Sequence, residues 1–237
     1  MSTAARTAVG KAAASLVRPG MVVGLGTGDT AACFIRSLAE RTRQEPTLQD
    51  LRCVATSTRS ADLAVQLGLT VLDVDQLDPG TGSPVDLTVD GADEIDPQLQ
   101  LIKGAGGALL FEKLVARLSG QLVIVADPAK QVMQLGEKRR LPIEIVRCAA
   151  RHTQDRIAKL AGIRDAQLRV SSDGRPYVTD GGHLIVDAAI VPSSSGAADL
   201  HAQLKALTGV VDTGFFLTEA TTVLIGDDSG QVRELRR

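Results

Sequence analysis

Residues 21–43 read MVVGLGTGDTAACFIRSLAERTR: an aliphatic run ends in a glycine-rich turn, and a stretch of mixed polarity follows. Ala32, Ile35 and Ala39 recur at helical spacing. Phe34 and Leu38 form a second row beside them. The pattern predicts a strand over residues 21–25 and a helix over residues 29–43. A strand that leads through glycines into a helix is typical of folds in which strands and helices alternate.

The same alternation continues on both sides of this stretch. Further helices are predicted over residues 4–17, 60–67 and 108–118. Further strands are predicted over residues 51–55, 70–72, 86–89 and 122–126. This order predicts an α/β fold with a mostly parallel sheet and helices on both faces. Such sheets bind ligands at the carboxyl ends of their strands, so candidate site residues are sought there.

The pattern changes after Gly136, where the charged sequence EKRRLP begins. Strands are predicted over residues 142–146, 166–170, 176–179, 183–186 and 210–217, and helices over residues 153–161 and 197–207. This βαββαβ-like order predicts a small ferredoxin-like α+β domain over residues 138–217. A last strand over residues 222–225 is expected to rejoin the main sheet, so residues 1–137 and 218–237 would form the larger domain.

The composition argues against several classes of function. Hydrophobic residues make up 44% of the 237 residues but aromatic residues only 2%, so the core must be aliphatic, as in buried parallel strands. Few aromatic side chains also argue against a protein that stacks the bases of nucleic acid. The net charge of −2 provides no basic field toward nucleic acid or membrane. No apolar run approaches the roughly 18 residues that a membrane span needs.

Two further features bear on the location of the protein. The first 20 residues are amphipathic and basic, as a transit peptide would be, but they lead directly into a predicted strand and are interpreted as the first helix. Cys33, Cys53 and Cys148 lie in apolar contexts without metal-ligand spacing. Such a sparse and odd set predicts buried free thiols in a cytoplasmic protein.

The first candidate site is the glycine-rich turn GLGTGDT at residues 24–30. Backbone N–H groups at a turn that opens a helix can hold an anion, and the hydroxyls of Thr27 and Thr30 favour a phosphate. Asp29 argues against phosphate because its carboxylate repels it, and this residue could instead be the N-cap of the helix. The spacing fits neither a dinucleotide-binding turn nor a Walker loop. A tight turn that needs glycines only for packing is the alternative.

Hydroxyl residues Thr56, Ser57 and Thr58 follow the second predicted strand. We interpret them first as an N-cap cluster for the helix that follows, because serine and threonine are favoured there. In the alternative interpretation they donate hydrogen bonds to a sugar or a phosphate.

An acidic cluster of Asp90, Asp93 and Glu94 follows the strand predicted over residues 86–89. Asp90 comes directly after this buried strand and therefore lies at the expected ligand-binding edge. Neighbouring carboxylates raise the pKa of one of the pair, which suits acid–base chemistry. For Asp90 and Asp93 we favour a functional role, whereas Glu94 is interpreted as a solvated loop residue.

Lys103 ends a short predicted strand and enters a second glycine-rich turn, formed by Gly104, Ala105, Gly106 and Gly107. A lysine can neutralise a developing oxyanion or hold a phosphate, and glycines leave backbone N–H groups open to a ligand. This turn is therefore a candidate site for an anionic substrate.

Glu112 lies about one turn into the helix predicted over residues 108–118, where spacing alone indicates an ordinary surface residue. His152, His183 and His201 all lie in the second half of the chain, far in sequence from the acidic cluster. The sequence therefore supports neither a histidine-based mechanism nor a metal site.

Taken together, these motifs resemble the type A ribose-5-phosphate isomerases over nearly the whole chain. The matching segments are GLGTG (24–28), ATS (55–57), DGADEID (90–96), KGAGGALLFEK (103–113), VADPAKQVMQLG (125–136), VTDGGHLIVD (178–187) and TGVVDTGFF (208–216). The pair DGADE and KGAGGALLFEK is specific, whereas the first glycine turn alone is not. The resemblance implies a Rossmann-like sheet domain with an inserted small α+β domain, a homodimer or homotetramer, and an active site without a metal or other cofactor.

The resemblance also implies a reaction and roles for individual residues. Family members interconvert D-ribose 5-phosphate and D-ribulose 5-phosphate through an enediolate, in the non-oxidative pentose phosphate pathway. By position, Glu112 would shuttle the proton between C2 and C1, and Asp90 would assist ring opening or handle hydroxyl protons. Asp93 and Lys103 would position the sugar and stabilise the enediolate oxygen.

The family pattern also indicates where phosphate would bind. The residues concerned are those of the first turn, two basic residues and the hydroxyl cluster: Gly26, Thr27, Gly28, Asp29, Thr30, Lys130, Arg6 and Ser57. The chain departs from the pattern at three positions. Asp29 stands where the family has serine, Ala105 where it has glycine, and Phe111 where it often has arginine.

Three other functions are weighed against the isomerase. A non-catalytic sugar-phosphate-binding or sensor domain would need a phosphate site without the full acid–base set. An amino-sugar phosphate deaminase would need a histidine near the acidic loop. A nicotinamide-dependent oxidoreductase is opposed by the glycine spacing and by the absence of an acidic residue after the second strand. The isomerase is favoured because Asp90, Asp93, Lys103 and Glu112 are all present.

Overall fold

The computed structural model describes residues 2–78, 80, 82–191 and 196–237. The chain divides into two compact units. The first unit contains residues 1–92, 111–130 and 218–237, and the second contains residues 93–110 and 131–217. Residues 93–110 and 131–137, which the sequence pattern assigned to the larger domain, lie in the second unit. The reason is strand pairing, because residues 101–102 pair with residues 215–216 on one side and with residues 94–95 on the other.

The helices, in chain order, are α1 (Thr3–Ala14), α2 (Asp29–Gln44), α3 (Thr58–Gln66), α4 (Leu109–Arg117), α5 (Ala150–Ala158) and α6 (Gly196–Lys205). The strands are β1 (Val22–Leu25), β2 (Arg52–Ala55), β3 (Thr70–Val71), β4 (Val85–Asp90), β5 (Glu94–Ile95), β6 (Leu101–Ile102), β7 (Ser119–Ala126), β8 (Leu141–Ile145), β9 (Ile163–Leu168), β10 (Leu184–Ile190), β11 (Val210–Thr213), β12 (Phe215–Phe216), β13 (Thr222–Gly226) and β14 (Val232–Arg236). Within the described residues, no helix is both long and apolar enough to cross a membrane.

The first unit contains a seven-stranded sheet in the order β14-β13-β7-β4-β1-β2-β3. All neighbouring strands in it are parallel except β14, which runs antiparallel to β13. The predicted mostly parallel α/β sheet is therefore confirmed, including the return of the chain to this sheet at β13. Strand β14 was not predicted, because its sequence VRELR is largely polar and it lies at the exposed edge.

The core of the first unit is aliphatic. Val23 on β1 pairs with Cys53 on β2 and with Leu87 on β4, and all three side chains are buried. Helix α2 contributes Phe34, which is fully buried in the same cluster. Burial of a side chain of this size stabilises the fold by about 1.5–3 kcal/mol. This core fixes the carboxyl ends of β1 and β4, where the first candidate site residues lie.

Helices α1 and α2 approach closely at a glycine. A Cβ atom built at Gly10 would lie 2.8 Å from the carbonyl carbon of Cys33 on α2. Only glycine leaves room for this contact, since real Cβ atoms do not come so near to backbone. The basic N-terminal segment is thus a packed helix of the fold, as the sequence pattern predicted.

The second unit contains a four-stranded sheet in the order β11-β8-β10-β9, whose neighbouring strands are antiparallel. Ile157 of α5 and Leu204 of α6 pack in one cluster with Ile143 of β8 and Val186 of β10. A second, three-stranded sheet has the order β12-β6-β5. The predicted α+β character is therefore present, with two differences in the strands.

The first difference is at residues 176–179, which were predicted as a strand. They form only isolated bridges, from Val170 to Pro176 and from Val178 to Leu184. Proline has no N–H to donate to a ladder, which limits pairing at this point. The second difference is at residues 210–217, which form two strands in different sheets. Gly214 separates these two strands, and a Cβ atom at this position would lie 2.3 Å from the carbonyl oxygen of Lys103.

The three cysteines differ in exposure, which corrects the expectation that all are buried. Cys53 is buried, Cys33 is intermediate and Cys148 is exposed. Burial raises the pKa of the Cys53 thiol to about 12.

These differences predict the reactivity of the thiols. In the folded protein we expect a disulfide reagent to modify Cys148 quickly and Cys53 not at all, because the thiolate is the reactive form. Titration with such a reagent before and after denaturation, with peptide mapping, measures this. Fast modification of Cys53 in the folded protein would contradict the packing of β2 in the core.

Candidate active site

The carboxylate of Asp90 organises the turn after β1. Asp90 is the last residue of β4 and is 1% exposed. Its Oδ1 accepts hydrogen bonds from the N–H of Thr27 at 2.9 Å and from the N–H of Gly91 at 2.7 Å. The N–H of Gly26 donates to the carbonyl of Val89 at 2.9 Å. The ends of β1 and β4 are therefore tied together, and a buried acidic group is held at the edge where ligands bind in parallel sheets.

Gly26 has a packing reason to be glycine. A Cβ atom at this position would lie 2.3 Å from Oδ1 of Asp90 and 2.5 Å from its Cα. We expect Gly26→Ala to lower the free energy of unfolding by about 1–3 kcal/mol, since backbone or carboxylate must move. Urea denaturation measures this loss. The matched control is Gly82→Ala, whose new methyl group would meet no heavy atom of the described residues within 4 Å. Equal stability of the two variants would contradict the close approach.

A cluster of hydroxyl groups joins the loops after β1 and β2. Oγ1 of Thr27 lies 2.7 Å from Oγ1 of Thr56 and donates to Oγ of Ser57 at 2.8 Å. Oγ of Ser57 also accepts from the N–H of Ser60 at 3.2 Å, so Ser57 is the N-cap of α3. Oγ of Ser60 donates to the carbonyl of Gly26 at 2.7 Å. The N-cap interpretation of Ser57 is confirmed, and the Thr27 hydroxyl contributes to the packing of the two loops.

Asp29 lies beside two arginines at the start of α2. The helix is capped by Gly28, with φ at +112°, so the suggestion that Asp29 is the N-cap is wrong. The Asp29 carboxylate lies 3.1 Å from Nη2 of Arg59 and 3.8 Å from Nη1 of Arg6. Thr30, half-buried, follows in the first turn of the helix. Arg59 was not identified from the sequence. Its position one residue after Thr58, at the start of α3 directly after the hydroxyl cluster, is the signal that was available.

This arrangement predicts the effect of removing the acidic charge. We expect Asp29→Ser to lower KM for a phosphorylated substrate by about 2- to 5-fold, because repulsion is lost and Arg6 and Arg59 are released from an exposed ion pair. The effect should shrink at high salt. Steady-state kinetics at two ionic strengths measures it, with the exposed Asp50→Ser as control. A higher KM in Asp29→Ser would show that the carboxylate assists binding.

Glu112 is buried, so the surface interpretation from helical spacing is wrong. It is 4% exposed, and its neighbour Lys113 is 2% exposed. Both lie on the buried face of α4, because Val115 and Ala116, three residues further on, are buried as well. Lys113 was not identified from the sequence, although Ala116, an apolar residue three positions further along the helix, was a visible signal that this face is buried. Charged side chains are rarely buried, so both are candidates for function or for a structural ion pair.

The two other basic candidates lie in the first unit as well. Lys130 is half-buried and ends a short 3-10 turn, Pro128–Lys130, that follows β7. Arg6 is half-buried on α1 and contacts Asp29. The first unit thus contains Asp90, Glu112, Lys130, Arg6 and the first glycine turn.

The second unit contains Asp93, Lys103 and the second glycine turn. Oδ2 of Asp93 accepts a hydrogen bond from the N–H of Ala105 at 2.9 Å. Lys103 is 2% exposed, and its Nζ lies 5.4 Å from the ring centroid of Phe216. Gly104 and Gly107 have φ at +102° and +85°, which L side chains rarely adopt. The strand end therefore presents a buried lysine next to a tightly folded loop in which Ala105 and Gly106 are exposed.

Glu94 is a structural residue and not a solvated one. It is fully buried in the second unit. Its carboxylate accepts hydrogen bonds of 2.6 Å from the N–H groups of Gly136, Lys138 and Arg139. It therefore holds the loop that leads into β8.

The histidines have no part in either group of candidates. Nδ1 of His183 lies 3.0 Å from Oε1 of Glu144, which also accepts from Oγ1 of Thr179 at 2.8 Å. Burial raises the pKa of Glu144, and the hydrogen bonds from Thr179 and His183 oppose this effect. Nδ1 of His201 lies 2.8 Å from Oγ1 of Thr213. Among the described residues, no group of three or more His, Cys, Asp or Glu side chains could hold a metal ion.

Comparison with known proteins gives a consistent result. A family model described as ribose 5-phosphate isomerase A (phosphoriboisomerase A) matches residues 52–230. The ribose-5-phosphate isomerase A of Caulobacter vibrioides is 50% identical over 227 residues, which cover 94% of this chain and 94% of that protein. A structure of ribose 5-phosphate isomerase A from Methanocaldococcus jannaschii superposes with a TM-score of 0.88 and 35% identity over 98% of each chain. A D-ribose-5-phosphate isomerase in complex with phospho-erythronic acid gives a TM-score of 0.89 and 33% identity over 98% of this chain and 97% of that one.

Proposed function

Because the chain belongs to the ribose 5-phosphate isomerase A family, we propose that it interconverts D-ribose 5-phosphate and D-ribulose 5-phosphate. The observation that carries the proposal is the burial of both Glu112 and Lys103, a carboxylate and an ammonium group that the reaction can use. An aldose–ketose isomerisation needs a base for the proton next to the carbonyl, and it needs a positive charge for the oxygen that becomes negative.

In the proposed reaction, Glu112 removes the proton from C2 of the open-chain sugar. The electron pair of the C2–H bond forms a C1–C2 double bond, and the C1 carbonyl oxygen becomes an enediolate oxygen. The ammonium group of Lys103 and N–H groups of the second glycine turn stabilise this charge. Protonation at C1 by the same carboxyl, with transfer of the hydroxyl proton from O2 to O1, gives the ketose, in which O2 is the carbonyl oxygen and O1 the hydroxyl.

The remaining candidates are proposed to bind and orient the sugar phosphate. Asp90 assists ring opening or handles hydroxyl protons, and Asp93 positions the sugar. Both carboxylates are fixed by backbone N–H donors. The turn at residues 26–30 binds the phosphate through the N–H groups of Gly28 and of the first turn of α2, together with Arg6 and Lys130. A buried, preorganised carboxylate loses less entropy on reacting than a mobile one, which supports Asp90 as the group that acts on the hydroxyl protons.

The test is an assay of the purified protein with ribose 5-phosphate, in which ribulose 5-phosphate formation is coupled to a second enzyme. We expect turnover that is the same with and without EDTA. Absence of turnover at saturating substrate would favour a non-catalytic sugar-phosphate-binding domain. Loss of turnover with EDTA would contradict the proposal that no metal takes part.

We also propose that the protein acts as a homodimer or homotetramer in the cytoplasm. The family resemblance supports the oligomer, and three unpaired cysteines support a reducing compartment. Light scattering of the purified protein tests the first point, and fractionation of the source cells tests the second.

A further inference from the structure

Two side chains from a part of the second unit that is distant in sequence donate hydrogen bonds to the second glycine turn. Nη1 of Arg169 donates to the carbonyl oxygens of Gly104 and Ala105, at 3.0 Å each. The hydroxyl of Tyr177 donates to the carbonyl oxygen of Gly106 at 3.2 Å. Three consecutive carbonyls of the loop therefore accept from side chains outside it.

The guanidinium of Arg169 is itself fixed in orientation. Its Nε donates to Oδ2 of Asp187 at 2.8 Å, and its Nη2 donates to Oδ1 of the same carboxylate. This bidentate pair leaves Nη1 for the loop, as the planar fork geometry of arginine allows. The side chains of Arg169 and Asp187 are only 15% and 22% exposed, so solvent weakens the pair little.

Arg169 also positions Tyr177, through its side chain and its backbone. The guanidinium carbon of Arg169 lies 5.8 Å from the centroid of the Tyr177 ring, and the N–H of Tyr177 donates to the carbonyl of Arg169 at 2.9 Å. The ring fills the space at Gly107, where a Cβ atom would lie 2.2 Å from the Tyr177 hydroxyl oxygen. The absence of a side chain at Gly107 therefore has a packing reason beyond its positive φ.

The hydrogen bonds to these carbonyl oxygens fix the orientation of the peptide groups and hence the directions in which the N–H groups of the loop point. In a planar trans peptide the C=O and the following N–H point in opposite directions. The N–H of Ala105 donates to Asp93, and the N–H of Gly107 donates to the carbonyl of Gly104. The N–H of Gly106 has no partner among the residues that the structure describes, and Gly106 is exposed. Its peptide carbonyl, that of Ala105, is bound by Arg169 on the opposite side.

We propose that Arg169, Asp187 and Tyr177 are positioning residues for the isomerisation, which hold the second glycine turn so that the Gly106 N–H donates to the enediolate oxygen. This inference rests on the proposed function. The three residues touch no substrate. They remove the reorganisation that the loop would otherwise undergo as negative charge develops. Their effect should therefore fall on kcat and on the binding of charged enediolate analogues, and little on KM.

The test compares Arg169→Met and Tyr177→Phe with the parent protein. We expect Arg169→Met to lower kcat by about 10²-fold, since loss of loop position misplaces a donor. Tyr177→Phe keeps the ring and loses one hydrogen bond, so we expect a fall of about 2- to 10-fold. Both variants should bind phospho-erythronic acid more weakly, as calorimetry measures, whereas KM for ribose 5-phosphate and the Kd for inorganic phosphate should not change.

Two control variants separate positioning from mere stability. Arg175→Met removes an arginine that is 86% exposed and lies in the same segment, and it should leave kcat unchanged. Ile157→Val removes a buried methyl group from the core of the second unit, and it should lower the melting temperature but not kcat.

Wild-type values of kcat and of the Kd for phospho-erythronic acid in folded Tyr177→Phe and Arg169→Met would overturn the proposal. An equal loss of kcat in Ile157→Val at matched stability would overturn it as well. If Arg169→Met does not fold, Tyr177→Phe decides. Failure of the proposed function is recognised separately, because the parent protein itself would then give no turnover. The role of Arg169 and Tyr177 would in that case be tested by the ratio of the Kd values for phospho-erythronic acid in the variants and in the parent protein.

Discussion

Replacement of Glu112 by glutamine is expected to lower kcat for ribose 5-phosphate by about 10²- to 10⁴-fold, the usual contribution of a positioned general base. Glutamine has nearly the same shape, and it cannot accept the C2 proton. Because Glu112 is 4% exposed, bulk water does not readily replace it as a base. KM should change little, since the carboxylate acts on the carbon-bound proton and does not bind the phosphate. Steady-state kinetics with a coupled assay measures both constants.

The matched control for this prediction is Glu40→Gln. Glu40 is an exposed residue of α2 in the same unit, so the substitution makes the same chemical change without touching the site. It should have wild-type kcat and KM. Circular dichroism and urea denaturation must show that both variants are folded. A folded Glu112→Gln variant with a kcat near that of Glu40→Gln would mean that another group is the base.

Replacement of Lys103 by methionine is expected to lower kcat by about 10²- to 10³-fold, as for the loss of one donor to a developing oxyanion. Methionine keeps an unbranched side chain against Phe216, so the packing near β12 should persist. The ammonium charge is lost, and with it the stabilisation of the enediolate oxygen. Binding of phospho-erythronic acid should weaken in parallel, because its carboxylate also carries negative charge.

The control for Lys103 is Lys159→Met, an exposed lysine that follows α5 in the second unit. It should retain wild-type kinetics and binding. Lys103→Arg should recover only part of the activity, because a guanidinium is larger and planar and Lys103 is only 2% exposed. A folded Lys103→Met variant with normal kcat would remove Lys103 from the proposed charge stabilisation.

Most of the first unit follows from local sequence signals. The aliphatic run of β4 and the strand, glycine turn and helix of residues 21–43 gave element bounds within a few residues of those observed. The signals failed where pairing depends on distant residues. Strands β5 and β6 have two residues each, and β12, which pairs with β6, is more than 100 residues away in sequence. No local pattern indicates such a sheet.

The candidate site residues also differ in how far the local sequence indicates them. Asp90 was identified because it follows a buried strand directly, and the structure places it there with 1% exposure. Local spacing indicated a surface position for Glu112, because a charged residue inside a helix usually faces solvent, and only the family resemblance assigned it a catalytic role. Lys113 was not identified. The supports of the second glycine turn could not be predicted at all. Arg169 and Tyr177 reach this turn from more than 60 residues away, and only the three-dimensional fold brings them together.

The central claim is that Glu112 transfers the proton between C2 and C1, and the fate of that proton tests it most directly. Ribulose 5-phosphate is incubated in deuterium oxide with the parent protein, Glu112→Gln or Glu40→Gln, and deuterium at C1 and ribose 5-phosphate are followed by proton NMR. We expect deuterium uptake and isomerisation by the parent protein and Glu40→Gln, and loss of both by the same factor in Glu112→Gln. A folded Glu112→Gln variant that isomerises at the parent rate would contradict it.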